Sequence, residues 1–144
     1  MSFSYRMNEA TIELPGELQK DESMSLVHFL NQAGQRRRMI VSREMLAADA
    51  DFQAVVQNQI NALKKDKIMR VGDIQWMTIS DQKWPAASID AYTKMGKGYA
   101  WQFHVAFHWN AQYLITISLN AEEEMLADEK AAWLQRIERL EFRS

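Results

Sequence analysis

The 144-residue sequence predicts an α+β fold: a twisted antiparallel β-sheet with two helices packed on one face, forming a single domain over residues 1–144. Three observations carry that prediction. From Tyr99 onward every second residue is large and apolar, through Trp101, Phe103, Val105, Phe107 and Trp109, with Gln102, His104, Ala106 and His108 between them. A strand gathers such residues on one face, whereas a helix scatters them around its circumference. After a turn signal at Asn110-Ala111-Gln112 the alternation resumes in Tyr113, Ile115, Ile117 and Leu119, with Leu114, Thr116 and Ser118 opposite, which makes a long antiparallel hairpin. Helical spacing, by contrast, occurs in two segments, one after Asp51 and one after Asn120.

In chain order, Phe3 to Met7 and Thr11 to Leu14 read as short strands that pair around Asn8-Glu9, and Pro15-Gly16 breaks the pattern. Met24 to Leu30 forms a strand with Met24, Leu26, His28 and Leu30 on one face and Ser25, Val27 and Phe29 on the other. Both faces are largely apolar, so this strand is expected to be covered on both sides. The chain returns from Arg36 to Glu44 with Met39, Ile40 and Val41 as its apolar residues. Arg36-Arg37-Arg38 reads as a solvated strand end rather than a phosphate contact, given the overall charge.

Asp51 is the expected N-cap of the first helix, because Phe52, Val55, Val56, Ile60 and Leu63 follow at helical spacing and Lys64, Lys65 and Lys67 suit its C-terminus. Ile68 to Ser80 is strand-like, interrupted by a turn or bulge at Gly72-Asp73. Trp84-Pro85 opens a strand that runs to Met95, where Gly96-Lys97-Gly98 turns it into the central hairpin. Asn120 is the expected cap of the second helix, with Glu122-Glu123-Glu124 in its first turn and Leu126, Trp133, Ile137 and Leu140 as its apolar stripe. Packing both helices on the aromatic face would unite Trp101, Phe103, Val105 and Phe107 with Phe52, Val56, Ile60, Trp133 and Ile137 in one core.

Composition narrows the function. A hydrophobic content of 47% with 25% charged residues is that of a globular chain able to bury one core. The net charge of −2 argues against nucleic acid or an anionic membrane surface as the main partner, since both favour a basic excess. Without cysteine there is no disulfide, thiol nucleophile or thiolate metal site. The N-terminus lacks a basic segment followed by an apolar run, and no stretch approaches the ~20 apolar residues of a membrane span, so a cytoplasmic protein without direct membrane insertion is expected.

Catalytic and metal chemistry find little support. His104 and His108 have the spacing of a metal pair on a helix, but on a strand four residues span roughly 13 Å, too far to share one ion. His28 would add a third ligand only in one strand register. The carboxylates fall on helix starts and loops, and there is no glycine-rich phosphate loop, Gly-x-Ser-x-Gly elbow or His-Glu-x-x-His helix. No catalytic residue, metal ligand or cofactor is assigned, and a non-enzymatic protein is expected. The nine methionines are first of all ordinary core residues, but Met also adapts to partners of varied shape.

The order of segments resembles the DcrB-related domain. The resemblance rests on Tyr5 and Asn8-Glu9 before the strand ending Leu14-Pro15, on Met39-Ile40-Val41-Ser42-Arg43-Glu44 leading to Leu46, and on Phe52 and Gln59 to Leu63 of the first helix. It continues through Gln102, Ile115-Thr116, and Trp133 with Ile137, and so covers almost the whole chain. Val41-Ser42-Arg43-Glu44 with the helix that follows is its most specific part. Short cytoplasmic members of this group are similar to Eag chaperones, the effector-associated proteins of bacterial type VI secretion. DcrB itself is an envelope lipoprotein; the absence here of a signal peptide and a lipobox cysteine favours the cytoplasmic branch. The final Arg139-Leu140-Glu141-Phe142 departs from the Ser-Phe ending of the pattern.

The resemblance implies a Mog1/PsbP-like fold and a homodimer that shields the hydrophobic N-terminal segments of a membrane-penetrating effector until it is loaded on its spike. The alternative expectation is a regulator or hydrophobic small-molecule binding domain of the same fold. The client-binding residues expected from alternation are Gln102, His104 and Ala106 opposite the aromatic face, Met24, Leu26 and His28 on an earlier strand, and Ile40 and Ser42 on the strand after it.

Overall fold

The computed structural model describes residues 3–6 and 11–14, for their backbone, and 24–79, 84–110 and 112–139. The strands are β1 (Phe3–Arg6), β2 (Thr11–Leu14), β3 (Met24–Leu30), β4 (Arg36–Met45), β5 (Met69–Val71), β6 (Gln75–Ile79), β7 (Trp84–Met95), β8 (Gly98–Trp109) and β9 (Tyr113–Ala121). The helices are α1 (Phe52–Lys64) and α2 (Ala127–Glu138). Strands β1 and β2 pair antiparallel as a two-stranded sheet. The others form one antiparallel sheet of seven strands in the order β3-β4-β9-β8-β7-β5, with β6 also paired to β7. The α+β class is as predicted. The Asn8-Glu9 turn, the Pro15-Gly16 break and Leu140 lie outside the described residues.

The predicted hairpin is the centre of the sheet. Strand β8 pairs with β7 from Ala86↔Phe107 to Met95↔Gly98 and with β9 from Trp101↔Ala121 to Trp109↔Tyr113. Gly96 at φ 60° makes the β7–β8 turn, in a left-handed conformation that glycine adopts without a Cβ clash. Gly72 lets β5 and β6 share one neighbour: its N–H donates to the Asp90 carbonyl at 2.7 Å, and a Cβ there would sit 3.3 Å from that oxygen.

The placement of both helices on one face is corrected by the structure. Phe103, Val105 and Phe107 pack with Ile115, Ile117, Leu119, Met125 and Ile137, so α2 covers the aromatic face. Phe52, Val56 and Ile60 of α1 pack instead with Ala87, Ile89 and Leu114, on the opposite face. Two cores therefore flank one sheet. The mixed face of β8 has Ala106 beside Ala87 and His108 beside Leu114, which is enough apolar surface to seat a helix with a three-residue buried stripe. Alternation cannot announce this, because those small and mixed side chains become an apolar floor only when three strands lie side by side.

Four local expectations change as well. Strand β3 is an outer strand with Met24 67%, Leu26 56%, Val27 43% and Leu30 64% exposed, not one covered on both sides. Helix α2 begins at Ala127 with Leu126 at its N-cap, while Asn120 is still in β9; its first-turn acids are Asp128 and Glu129. Leu126 is exposed rather than part of the buried stripe. Arg37 of the basic triplet is 2% exposed, because it faces α2, while Arg36 and Arg38 are exposed. It bonds Glu123 at 2.6 Å and Glu129 at 2.7 Å, tying β4 to the loop before α2 and to the helix itself. The predicted cap of α1 is in place: the Asp51 carboxylate accepts from the Gln53 N–H at 3.2 Å.

Candidate functional site

The strand registers bring the eight residues singled out from alternation onto one face, in three neighbouring rows. One row runs Met24, Ser42, Thr116, Ala106, Ala87 across β3, β4, β9, β8 and β7. The next runs Leu26, Ile40, Ser118, His104, Ile89. The third runs His28, Arg38, Asn120, Gln102, Ala91. From β3 to β8 the patch is roughly 14 Å wide, and its three rows add a similar length. Each strand contributes one side of its pleat, so the common face follows from register alone.

Helix α1 covers the β7 side of this face and leaves the β3 side open. Met24, Leu26 and His28 are exposed, and Ile40, Ser42, Gln102 and His104 are half-buried. Ala106 differs from the others, because it packs against the α1 core. Where the helix edge meets the open surface there is a cleft of about 90 Å³, walled by Val56, Gln59 and Ile60 and floored by Ile89, His104 and Thr116. The surface thus passes from an apolar outer strand, over a polar middle, to an apolar cleft.

The polar middle is a short chain of hydrogen bonds. His104 Nδ1 lies 2.6 Å from the Ser118 hydroxyl, and His104 Nε2 lies 3.0 Å from Gln102 Oε1. A carboxamide oxygen only accepts, so Nε2 carries the proton and Nδ1 accepts from Ser118. Burial pushes the His104 pKa below the ordinary histidine value, opposed by the Asp90 carboxylate, and so favours the neutral ring, whose tautomer follows from the two hydrogen bonds. Both ring nitrogens are then occupied. The Gln102 NH₂ makes no hydrogen bond among the described residues and is a donor available to a bound partner.

Alternation had already put Thr116 and Ser118 opposite the aromatic face, but they were not singled out with the other eight. What was missing was the position of β9, which separates β4 from β8 and so carries both residues into the middle of the patch. Val56 and Ile60 come with α1 from the face on which the sequence places them, and Gln59 has no face assigned by the sequence.

The three histidines are not gathered. His28 lies three strands from His104 and in another row, and His108 stacks on Phe52 at 5.8 Å between ring centroids. Among the described residues no group of three or more His, Asp or Glu side chains is placed to hold a metal ion. No helix among them is long and apolar enough to cross a membrane.

A second concavity lies on the aromatic face, between the β3–β4 turn and α2. It encloses about 750 Å³ and is lined by Phe29, Leu119, Leu126, Trp133, Glu129 and Arg136 among others. Phe29 stacks on Trp133 at 5.9 Å and forms its apolar side.

The family model described as DcrB matches residues 9–139. Of solved structures, PA94 of Pseudomonas aeruginosa, a protein of unknown function described as a candidate regulator, is similar at 19% identity and a TM-score of 0.70. The match covers 99% of this chain and 98% of that one. LpqN of Mycobacterium tuberculosis, involved in cell envelope biogenesis, is similar at 13% identity and a TM-score of 0.50, over 94% of this chain and 84% of that one. At these identities the likenesses show a common fold. No curated protein matches the sequence.

Proposed function

The chain belongs to the DcrB family, and from that premise we propose that it is a non-enzymatic cytoplasmic chaperone, acting as a homodimer, that shields apolar N-terminal segments of a type VI secretion effector before the effector is loaded on its spike. The observation that carries this reading is the outer part of the mixed face: Met24 and Leu26, 67% and 56% exposed, continue through half-buried Ile40 into the Gln102-His104-Ser118 chain at the edge of α1. An exposed apolar surface of this kind costs free energy in water and is stabilised when a partner covers it. A platform roughly 14 Å wide accommodates one helix of about 10–12 Å diameter. A transmembrane helix out of its membrane must hide its apolar surface, and helix-in-groove docking does so. The Gln102 NH₂, which makes no hydrogen bond among the described residues, suits a carbonyl or small hydroxyl on such a helix and orients it without demanding one sequence. Flexible Met24 adapts to side chains of different shape.

Leu26→Glu and Gln102→Glu test the site. Leu26 is exposed on an outer strand, and Gln102 can pass its acceptor role to a carboxylate, so both variants are expected to keep the parent's thermal transition. Each is expected to lose co-purification with an effector's apolar N-terminal segment, because docking would bury an unpaired carboxylate at a cost of several kcal/mol. Undiminished capture per folded protein would remove the site assignment. Unfolding of both variants would make the patch structural.

The 750 Å³ groove favours a second reading, a small hydrophobic molecule held against the stacked Phe29 and Trp133 rings, since its volume is within the range of about 300–1,000 Å³ for ligand sites. A lipid or metabolite co-purifying from cells without an effector would support it.

A further inference from the structure

We infer that the end of the molecule formed by the β7–β8 hairpin tip and the α1–β5 turn is a docking surface for an anionic lipid bilayer. The net charge of −2 conceals a strong polarity. The pairing Met69↔Thr93 lays the start of β5 beside the end of β7 and so carries the α1–β5 turn alongside the hairpin tip. Six exposed cations meet there: Lys64 at the end of α1, Lys65 and Lys67 in the turn, Arg70 in β5, and Lys94 and Lys97 at the tip. None is ion-paired among the described residues. The one acid among them, Asp66, is exposed and accepts from the Ile68 N–H at 3.0 Å, so the cations outnumber it six to one. Asp90, further down β7, is neutralised by Lys130 at 2.7 Å.

The same end carries apolar and aromatic side chains in water. Met95 is 65% and Ile68 60% exposed. Tyr92 and Tyr99, 37% and 43% exposed, cluster with Trp101 at centroid distances of 5.1 to 5.9 Å. The tip projects past its neighbours, because β9 ends its pairing opposite Trp101 and β5 ends opposite Thr93, leaving Lys94 to Tyr99 paired with each other alone among the described strands.

These two features together choose the partner. Lysines are attracted to the negative surface potential of acidic lipids, while Tyr and Trp settle at the headgroup level with their rings in apolar and their hydroxyl or indole N–H in polar surroundings. Met95 and Ile68 reach the acyl boundary, and lysine stems lie along it with their ammonium groups in water. A nucleic acid would use the charges but give Met95 and Ile68 nothing to bury against. The surface is distinct from the mixed-face patch, so a client on β3 and β4 leaves it open.

The test is co-sedimentation of the intact chain with phosphatidylcholine vesicles, with and without phosphatidylserine, at low and high salt. Binding is expected with phosphatidylserine, weakening steeply as salt rises, and absent with phosphatidylcholine alone. Replacing Lys94 and Lys97 together by Ala should weaken it roughly 30-fold, from the usual contribution of two juxtamembrane lysines. Met95→Ser with Tyr99→Ser should weaken it at low salt also. All four positions are exposed, and an unchanged thermal transition checks that the variants fold. No binding at low salt, equal binding to neutral vesicles, or an unchanged Lys94→Ala/Lys97→Ala variant would overturn the inference. A Met95→Ser/Tyr99→Ser variant that binds vesicles like the parent would reduce the surface to a general polyanion site, and that outcome too would overturn it.

Discussion

Replacing Arg37 by Met perturbs the joint between the sheet and α2, and its effect can be worked from the structure. All five guanidinium N–H groups are used: Nε and Nη2 donate to Glu129 at 2.7 and 2.9 Å, and Nη1 donates to Glu123 at 2.6 Å and to the Arg36 carbonyl at 2.8 Å. Nη2 donates also to Gln35 Oε1 at 3.1 Å. Met retains most of the apolar stem, so the loss is chiefly that of charge-assisted hydrogen bonds. Breaking a buried ion pair typically costs about 3–5 kcal/mol. Here the carboxylates are 23% and 44% exposed, and water recovers part of their solvation, so about 2–3 kcal/mol is expected.

The pH dependence follows from Glu129. Hydrogen bonding from Arg37 holds its folded pKa below the ordinary glutamate value, against the opposing effect of burial. Below that ordinary value the unfolded chain takes up the proton first. The stability contributed by the pair is therefore complete above the unfolded pKa and lost as pH falls through the folded one. Urea unfolding of parent and Arg37→Met at neutral pH should show the full gap, and a series into acid should show it closing. A gap under ~0.5 kcal/mol at neutral pH, or one that does not change with pH, would refute the assignment of Arg37 as the joint.

Three further outcomes are expected. Phe103→Ala and Phe52→Ala, at 4% and 6% exposed positions, should each cost roughly 3–5 kcal/mol; because they lie in separate cores, the double variant should show additive losses to within ~0.5 kcal/mol, measured by urea unfolding. Coupling well beyond that would return both residues to one core. Asp51→Ala removes the bond to the Gln53 N–H and should cost about 1 kcal/mol in the same assay, with a null effect showing that the cap is dispensable. His104 is held neutral by burial, so the unfolded chain protonates first as pH drops below the ordinary histidine value; stability should decline there and level off below the folded pKa, and His104→Gln should remove that part of the decline. A profile identical in the two proteins would show that His104 takes its proton without resistance.

What was legible in the sequence was whatever the chain's own neighbours decide. Period-2 alternation in Tyr99 to Trp109 located β8 and its two faces, Gly96-Lys97 located the turn, and Asp51 located the start of α1, because each is a property of consecutive residues. The eight patch residues were legible in the same sense: each was assigned a side of its own strand, and the register then set those sides on one face. The tertiary structure alone decided which strands are neighbours and what lies over them. The placement of β9 between β4 and β8 brought Ser118 to His104, and the side chains of β7, β8 and β9 became the apolar floor that draws α1 to the face away from α2. Arg37 shows the same limit: its charge predicts solvent, and only the approach of Glu123 and Glu129, 86 and 92 residues further on, makes burial favourable. The free energy of those arrangements depends on pairs distant in sequence, and local periodicity contains no information about which distant pair will form.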